Sequence, residues 1–377
     1  MRFLFVESSR SWGGQEYRTC LEVNWLNQRG HEAWLACDPK SDVFARAAQL
    51  GTQTVPFCLR RRFSPLTSVR LWKFCRRNRI DVVKTFSSKA HWLTLPLFWL
   101  GYPVTRVRCI TDPLRGGRAF IYRHGCSRIL VDAPVIKRQL VADNGIAPEK
   151  IEVVGSAVDL SRFRPDVEPA RLRDELGIPA HARIVVNVGM IRPDKGQLLL
   201  VEAASLVLRD CGDAHFVLVG EGTGLRKKGA RVREAIDRAG LEERVHMLGY
   251  RWDIPEIMAA ADVVVIASLH TEASPIVLRE TLACGQPLVA TRVGDVDEVI
   301  RDREHGLIVE PGNATELARG ILEMLNDRAL AQRYAENGLQ LARAEFSFDR
   351  MMDGKLRVDE EAVSGRRERA PILPAAS

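Results

Sequence analysis

A segment between two glutamates has the residue types to bind a diphosphate and sugar hydroxyls. Pro275 suits the first position of a helix that Gly285 would end. The amides of a first helical turn have no partners within the helix, so they form a ready anion site. A carboxylate can accept two hydroxyl hydrogen bonds, so Glu280 suits a ribose diol and Glu272 a sugar hydroxyl. The alternative is that Glu280 is an ordinary surface residue. The amides in question belong to Ser274, Ile276 and Val277.

A second cluster could add positive charge to such a site. Arg192 and Lys195 lie just after a predicted strand, in a turn with Gly189, Pro193 and Gly196. At an effective dielectric near 20, a unit charge pair with a diphosphate is worth about 4 kcal/mol before desolvation is subtracted. These cations can therefore stabilise a diphosphate leaving group. On composition alone, a solvated basic turn without a ligand is the simpler interpretation.

Two better-known nucleotide motifs fail on these residues. The run from Gly220 to Leu225 begins like G-x-G-x-x-G, but Leu225 stands where the third glycine is needed. The turn at 189–196 lacks the order Gly, four residues, Gly-Lys-Ser/Thr. Neither a dehydrogenase nor a P-loop phosphotransferase is supported.

Short β-type runs alternate with longer helical patterns, which predicts an α/β protein of two doubly wound units with parallel sheets. Ligands of such sheets bind at the carboxyl ends of the strands, so the cleft between two facing units is the expected site. The predicted strands are 3–6, 33–37, 81–85, 104–110, 128–131 and 151–154, then 183–188, 215–219, 245–248, 261–266, 287–290 and 306–309.

The domain boundary is predicted in the linker at 160–180, which contains Pro165 and Pro169. Further on, 313–344 predicts a long helix, with Asn313 as N-cap and Glu316 completing a capping box. We therefore expect domains at 1–170 and 171–345, a further helix at 346–363 and a disordered tail at 364–377.

The positive charge is concentrated in the first half of the chain. The whole sequence carries 55 basic and 48 acidic residues for a net charge of +7, but residues 1–175 carry 29 and 17. Between Arg60 and Arg128 there are 16 basic residues and only two acids, Asp81 and Asp112. Such a field favours an anionic partner such as nucleic acid, an anionic membrane or a phosphate-rich substrate.

The eight cysteines are dispersed with no C-x-x-C pair, which argues against a zinc site and for reduced thiols in a cytoplasmic protein. The N-terminus turns polar after a few apolar residues, too early for a signal peptide. The longest apolar run, 92–100, is shorter than the about 20 residues that a membrane span needs.

The order of the motifs resembles the retaining glycosyltransferases of family 4, over roughly residues 1 to 350. The resemblance rests on 189–196, 217–222, 248–250, 272–291 and 306–309, together with the junction 154–163. It implies the GT-B fold, in which two Rossmann-like domains with parallel sheets face a central cleft. It also implies that the helix at 346–363 crosses back to the N-terminal domain. The members that this chain resembles most act on lipopolysaccharide core or other bacterial surface glycans.

The resemblance also implies roles for particular residues. Glu280 would bind the ribose, Glu272 a sugar hydroxyl, and Lys195 the diphosphate, with Arg192 nearby. Gly14 would let the backbone approach the donor. The remaining donor-site positions are Gly13, Cys109, Gly189, Glu221, Gly222, Tyr250, Arg251, Ser274, Pro275, Ile276 and Val277.

Three positions depart from the family pattern. Met190 stands where the family commonly has arginine, and Cys109 and Phe86 stand where histidine is common. A thiol can pack against a sugar but cannot donate as an imidazole does. These departures leave open a catalytically silent, donor-binding partner subunit.

The expected activity is transfer of a sugar from a nucleotide diphosphate sugar to a glycan or lipid-linked acceptor, with retention at the anomeric carbon. The leaving diphosphate would accept the acceptor's proton, so neither a metal nor another cofactor is expected. A sugar-nucleotide epimerase on the same architecture is a further alternative. Nucleic acid is not an expected partner, because no motif for it accompanies the basic residues. The concentrated charge instead suggests a peripheral site on the anionic inner face of a membrane.

Overall fold

A computed structural model describes residues 1–109, 113–114, 117–222, 227–270 and 273–369. The chain divides into two compact units. Unit 1 combines Met1–Val154 with the residues from Met352 onward, and unit 2 is Gly155–Met351. Within the described residues, no helix is both long enough and apolar enough to cross a bilayer.

Unit 1 is built on a seven-stranded parallel sheet with the order β3-β2-β1-β4-β5-β6-β7. Its strands are β1 (Arg2–Val6), β2 (Glu32–Cys37), β3 (Thr54–Pro56), β4 (Val82–Thr85), β5 (Val104–Arg108), β6 (Arg128–Val131) and β7 (Ile151–Val153). The helices between them are α1 (Gly14–Gln28), α2 (Asp42–Gln49), α3 (Pro65–Arg77), α4 (Ser88–Leu93), α5 (Leu95–Trp99), α6 (Arg118–His124) and α7 (Pro134–Ala142), and a short 3-10 helix covers Pro148–Lys150.

Unit 2 is built on a six-stranded parallel sheet with the order β10-β9-β8-β11-β12-β13. Its strands are β8 (Arg183–Val188), β9 (Ala214–Val219), β10 (Val245–Gly249), β11 (Val263–Ile266), β12 (Leu288–Thr291) and β13 (Leu307–Val309). Its helices are α8 (Leu172–Leu176), α9 (Gln197–Asp210), α10 (Lys227–Ala239), α11 (Ile254–Ala259), α12 (Ile276–Ala283), α13 (Val296–Val299), α14 (Ala314–Asn326) and α15 (Arg328–Glu345), with a 3-10 turn at Pro193–Lys195.

The predicted α/β class with two Rossmann-like parallel sheets is confirmed. Strands covered by helices on both faces need apolar residues throughout, and β11, with the sequence Val-Val-Val-Ile, is buried at every position. In each sheet the chain steps outward from the first strand and then reverses to fill the other side. The point of reversal lies between β1 and β4 in unit 1 and between β8 and β11 in unit 2, and ligands of such sheets bind at that point.

Some predicted bounds differ from the observed ones. Unit 2 begins at Gly155 rather than near residue 171, because Val158 and Phe163 are buried in its core. Strand β3 escaped prediction because it has only three residues and ends in Pro56.

The helical region after Asn313 is also more divided than predicted. The predicted helix at 313–344 is two helices, since the Asp327 side chain accepts a hydrogen bond from Leu330 N and starts α15. Asn313 caps α14 as expected, but Glu316 accepts from Glu310 N instead of completing the capping box.

The last helix, α16 (Phe348–Arg369), joins unit 1 from Met352 onward. It runs past residue 363, and residues 370–377 of the predicted tail lie outside the described residues. Lys84 donates to Asp359 at 2.7 Å, and Lys355 donates to Glu22 at 2.5 Å. All four side chains are at most 2% exposed, so α16 supplies a counter-charge to two charges buried in unit 1.

Removing the Asp359 carboxylate should therefore lower the free energy of unfolding of unit 1. Asp359→Ala leaves the Lys84 ammonium buried without its partner, which costs about 3–5 kcal/mol in comparable buried pairs. We expect this loss in urea unfolding followed by fluorescence. The matched control is Glu152→Ala, which removes the exposed partner of Arg357 and should change little. Equal stability of the two variants would contradict the anchoring role of α16.

Candidate functional site

A pocket of about 160 Å³ opens in unit 2 where the carboxyl ends of β8 and β11 diverge. This is the point of strand reversal, where the connections of a doubly wound sheet leave toward opposite faces. The end of β8 contributes Asn187, Val188 and Gly189, and the 3-10 turn and α9 contribute Lys195 and Gln197. The end of β11 contributes Ile266, Ala267 and Ser268, and the start of α12 contributes Ser274, Pro275, Ile276 and Val277.

Backbone hydrogen bonds join the loops that follow β8, β9 and β10. Gly189 N donates to Val219 O at 2.9 Å, and Ile191 N donates to Glu221 O at 3.0 Å. On the far side, Gly220 N donates to Gly249 O at 2.8 Å. A β-carbon at Gly220 would lie 2.0 Å from the Gly189 carbonyl oxygen, so only glycine permits this packing. The predicted positions Gly189, Glu221 and Gly222 are thus held at one edge of the sheet.

Lys195 reaches the pocket because the turn after β8 packs tightly on the end of β11. Gly196 has a φ of +69°, and a β-carbon there would lie 1.8 Å from the Ala267 carbonyl oxygen. Leu269 N also donates to Asp194 O at 2.8 Å, which joins the same two segments. The turn therefore has a fixed position, with the Lys195 side chain among the pocket-lining residues.

The first turn of α12 forms the wall that faces this lysine. Pro275 is the N-cap residue and not the first helical residue. The helix therefore begins one residue later than predicted and runs from Ile276 to Ala283. Gly285 follows in the left-handed conformation with a φ of +64°, as expected at a helix end. The amides of the first turn lack partners within the helix, so the pocket combines a cation with backbone donors.

A buried ion pair that the sequence analysis missed holds this turn. Arg279 is 3% exposed, and its guanidinium donates to Asp295 at 2.8 Å and to the Ser274 hydroxyl at 2.7 Å. Burial raises the pKa of Asp295 even though Arg279 opposes it. The signal in the sequence was a charged residue on the buried stripe of α12, beside Leu278 and Leu282.

Gln197 adds a buried acceptor to the pocket. Its amide nitrogen donates to Met190 O at 3.1 Å, which ties the loop after β8 to the start of α9. Its Oε1 atom is buried and, within the described residues, accepts no hydrogen bond. A buried acceptor without a partner is costly in free energy, so this atom is suited to accept from a ligand.

Arg192, predicted to present its charge to a diphosphate, is instead paired with a neighbouring carboxylate. Its guanidinium forms a two-point ion pair with Asp194, one contact being Nε to Oδ1 at 2.9 Å. Although burial opposes the shift, hydrogen bonding to Arg192 holds the pKa of Asp194 below its usual value. Arg192 is not among the pocket-lining residues, so Lys195 is the cation that the structure brings to the pocket.

Glu280 lies in the second turn of α12 and is partly buried. Burial raises the pKa of its carboxyl group to about 7, and Arg162 opposes the shift. Glu280 does not line the pocket itself. Glu272 and Thr271 lie outside the described residues.

An exposed aromatic pair follows β10. The rings of Tyr250 and Trp252 are 5.0 Å apart at 82°, and they are 55% and 74% exposed. Between them, Arg251 pairs with Asp253 at 2.6 Å and with Glu175 of α8 at 2.6 Å. Both carboxylates raise the pKa of Arg251, which therefore stays charged and fixes the backbone of this loop.

The donor-site residues predicted in unit 1 are Gly13, Gly14 and Cys109, and they lie at the carboxyl edge of its sheet. Gly13 is the extended N-cap of α1, and no atom lies within 4 Å of a β-carbon placed on Gly14. Cys109 follows β5, where Arg18 donates to its sulfur at 3.2 Å and to Asp132 at 3.0 Å. Burial raises the pKa of Cys109, which favours the protonated thiol at neutral pH.

The side chain at Phe86 belongs to the core of unit 1. Its ring is 9% exposed and stacks on Phe5 with the centroids 5.7 Å apart. His91 nearby is buried, and one of its ring nitrogens lies 3.3 Å from Thr85 O. Among the described residues, no cluster of three or more His, Cys, Asp or Glu side chains is arranged to hold a metal ion.

Two family models match consecutive parts of the chain. The model described as "Glycosyltransferase Family 4" matches residues 12–162, and the model "Glycosyl transferases group 1" matches residues 170–341. The first match falls mostly in unit 1 and the second entirely in unit 2.

Relatives with described activities match along much of the chain. A D-inositol 3-phosphate glycosyltransferase of Saccharomonospora viridis is 32% identical over 64% of this chain. A UDP-Gal:alpha-D-GlcNAc-diphosphoundecaprenol alpha-1,3-galactosyltransferase of Escherichia coli is 25% identical over 70% of it. The chain spans 57% of the first relative's length and 70% of the second's.

A solved structure shares the fold over nearly the whole chain. Anabaena HepE in complex with UDP aligns with a TM-score of 0.82 and 23% identity, and the alignment covers 97% of this chain and all of HepE. The likeness confirms the predicted GT-B type of architecture.

The buried carboxyl of Glu280 should leave a signature in the pH dependence of stability. Its pKa is about 7 in the folded state against a usual 4.5, so its contribution to stability is full below about pH 4.5 and is lost as the pH rises through 7. Glu280→Gln removes this dependence. We expect the variant to equal the wild type near pH 5 and to exceed it at pH 8, by on the order of 2–3 kcal/mol. Urea unfolding from pH 5 to 8 measures the difference, with the exposed Glu243→Gln as control. Parallel curves for Glu280→Gln and the wild type would refute this expectation.

The Arg279–Asp295 pair should show strong coupling. Arg279→Leu leaves the Asp295 carboxylate buried alone and should cost about 3–5 kcal/mol, whereas Arg279→Leu with Asp295→Ala should recover much of that loss. A double-mutant cycle on urea unfolding measures the coupling. The control cycle uses the exposed Arg301–Glu304 pair, for which we expect almost none. Additive losses at the buried pair would show that it does not act as a unit.

Proposed function

This chain belongs to the glycosyltransferases that join a family 4 domain to a group 1 domain, and from that premise we propose that it transfers a sugar from a nucleotide diphosphate sugar, with retention at the anomeric carbon. The observation that carries the proposal is the pocket at the β8/β11 reversal point. It joins Lys195 to the first turn of α12, and both favour an anion. HepE, which shares the fold, has been solved in complex with UDP.

The diphosphate of the donor is assigned to Lys195 and the amides of Ser274, Ile276 and Val277. These groups are in place before the reaction, so they stabilise the charge that develops on the leaving diphosphate as the glycosidic bond breaks. The Arg279–Asp295 pair holds Ser274 in position. Because Lys195 lines the pocket and Arg192 does not, we assign Arg192 the smaller contribution.

The remaining donor contacts are proposed from the resemblance to family 4. Glu280 accepts hydrogen bonds from the ribose, and Glu272 accepts one from the sugar. Backbone hydrogen bonds join the loops that carry Gly189, Glu221 and Gly222, and we assign these residues to the edge that the donor approaches. The backbone at Tyr250 and Arg251 borders the base, and the positions after Pro275 contact the phosphates.

Retention follows from a front-face route in which the acceptor hydroxyl gives its proton to the departing diphosphate. The oxygen of the acceptor forms the new bond on the face that the diphosphate leaves, and no protein nucleophile is needed. The amides and Lys195 supply the positive charge, so the reaction proceeds without a divalent metal.

The acceptor is proposed to be a glycan or a lipid-linked glycan of a bacterial surface polysaccharide or lipopolysaccharide. The Escherichia coli relative is named for a diphosphoundecaprenol acceptor. Unit 1 carries the strongly basic stretch from Arg60 to Arg128, which suits an anionic lipid-linked substrate.

Turnover should depend strongly on Lys195 and less on Arg192. Nucleotide release from UDP-galactose and UDP-glucose, with a glycolipid acceptor and chelator present, measures the reaction. We expect Lys195→Ala to lower kcat on the order of 100-fold, because it removes charge stabilisation from the transition state. Glu280→Ala should mainly weaken binding of UDP.

Arg192→Ala is the internal comparison and should lower kcat by less than Lys195→Ala. Wild-type turnover in both Lys195→Ala and Glu280→Ala would overturn the site assignment. Loss of activity in chelator, restored by a divalent metal, would overturn the metal-free route. UDP binding without release with any acceptor would instead indicate a silent partner subunit, and isomerisation of the donor alone would indicate an epimerase.

A further inference from the structure

One helix of unit 1 presents apolar and basic side chains to solvent on a single stripe. Leu66 of α3 is 64% exposed and Val69 is 46% exposed, and Phe63, just before the N-cap residue Ser64, is 64% exposed, although all three are large and apolar. The same face of α3 continues with exposed cations at helical spacing. We call this set the α3 stripe, and it comprises Phe63, Leu66, Val69, Arg70, Lys73 and Arg77.

The stripe is rigid because the opposite face of α3 is fixed. Thr67, Ser68, Leu71 and Cys75 are buried, and the Ser68 hydroxyl donates to Leu93 O of α4 at 2.9 Å. Ser64 caps the helix by accepting from Thr67 N at 3.3 Å. The orientation of α3 is therefore fixed, and the face that carries the stripe stays directed to solvent.

The apolar end of the stripe extends onto an aromatic cluster. The rings of Phe63 and Trp92 lie 4.9 Å apart, and the Arg62 guanidinium lies 4.8 Å from the centre of the Trp92 ring. Gly117, at the start of α6, packs against Trp92, and Phe120 beyond it is 46% exposed. Exposed apolar groups that adjoin one another in this way mark an interaction surface.

The charge around the stripe has one sign. α3 contains no acidic residue, and Asp81, which follows it, accepts a hydrogen bond from Arg2 N at 2.8 Å. Nucleic acid would satisfy the cations but leave Leu66 and Val69 in water. The interface of an anionic bilayer satisfies both, since apolar side chains enter the acyl boundary while cations meet lipid phosphates.

We infer that the α3 stripe is the element by which unit 1 docks on an anionic lipid bilayer. Phe63, Leu66 and Val69 enter the membrane, and Arg70, Lys73 and Arg77 bind the headgroup phosphates. The inference rests on the proposed lipid-linked acceptor and deepens it. Because α3 follows β3, its apolar end lies at the carboxyl edge of the unit 1 sheet, where Gly13 and Cys109 also lie.

Cosedimentation of the full chain with vesicles tests the inference. The vesicles are phosphatidylcholine alone or mixed in equal parts with phosphatidylglycerol. We expect binding to the mixed vesicles only, with a fraction that persists when salt screens the charges. Phe63→Ser with Leu66→Ser should remove that fraction and weaken binding on the order of tenfold or more. Arg70→Glu with Lys73→Glu should abolish the salt-sensitive fraction of vesicle binding.

Leu50→Ser is the matched control, because it removes an exposed leucine elsewhere in unit 1 and should bind as the wild type does. Unchanged binding by Phe63→Ser with Leu66→Ser, at an unchanged Tm, would overturn the docking inference. An RNA oligonucleotide that displaces the chain from vesicles would also overturn it and assign the stripe to nucleic acid. UDP binding, measured on the same variants, reports the donor site separately. A chain that binds UDP but no vesicle refutes only the docking, and the reverse refutes only the proposed donor site.

Discussion

The strand order of unit 2 is the constraint on which the candidate site depends. β8 is the central strand from which the chain first moves toward β9 and later returns to start β11 on the other side. The connections at the carboxyl ends of these two adjacent strands leave toward opposite faces of the sheet, so a crevice opens between them. Lys195 and the first turn of α12 lie at that crevice because each belongs to one of the two diverging connections. The site is therefore a consequence of topology before it is a matter of side chains.

Three arginines at the carboxyl edge of the unit 2 sheet are held in ion pairs. Arg192 is paired with Asp194, Arg251 with Asp253 and Glu175, and Arg279 with Asp295. Each pair fixes a loop or a helix start at the carboxyl edge of the sheet. These three arginines thus stabilise the backbone conformation of their loops. That conformation determines the direction of the backbone amides.

Local patterns predicted the sheets well because buried parallel strands are continuous apolar runs, as in β8 and β11. Motif order predicted the loops that follow β8, β9, β10 and β11. The ion pair of Arg192 with Asp194 was not predicted, although the two residues are only two positions apart. A short separation in sequence does not show whether two side chains meet. Arg279 was missed for a different reason: its partner Asp295 lies 16 residues along, and only the packing of α12 on the loop after β12 brings them together.

The anchoring of α16 also affects how the chain folds during synthesis. The two lysines and two acids that pair in unit 1 are separated by 275 and 333 residues, so Lys84 and Glu22 leave the ribosome long before their partners exist. Burying either charge alone is unfavourable, so closure of the unit 1 sheet over them is disfavoured at that stage. All of unit 2 is translated in the meantime, and it contains its own complete sheet and core. We therefore expect unit 1, although it is made first, to complete its folding only after α16 has been synthesised.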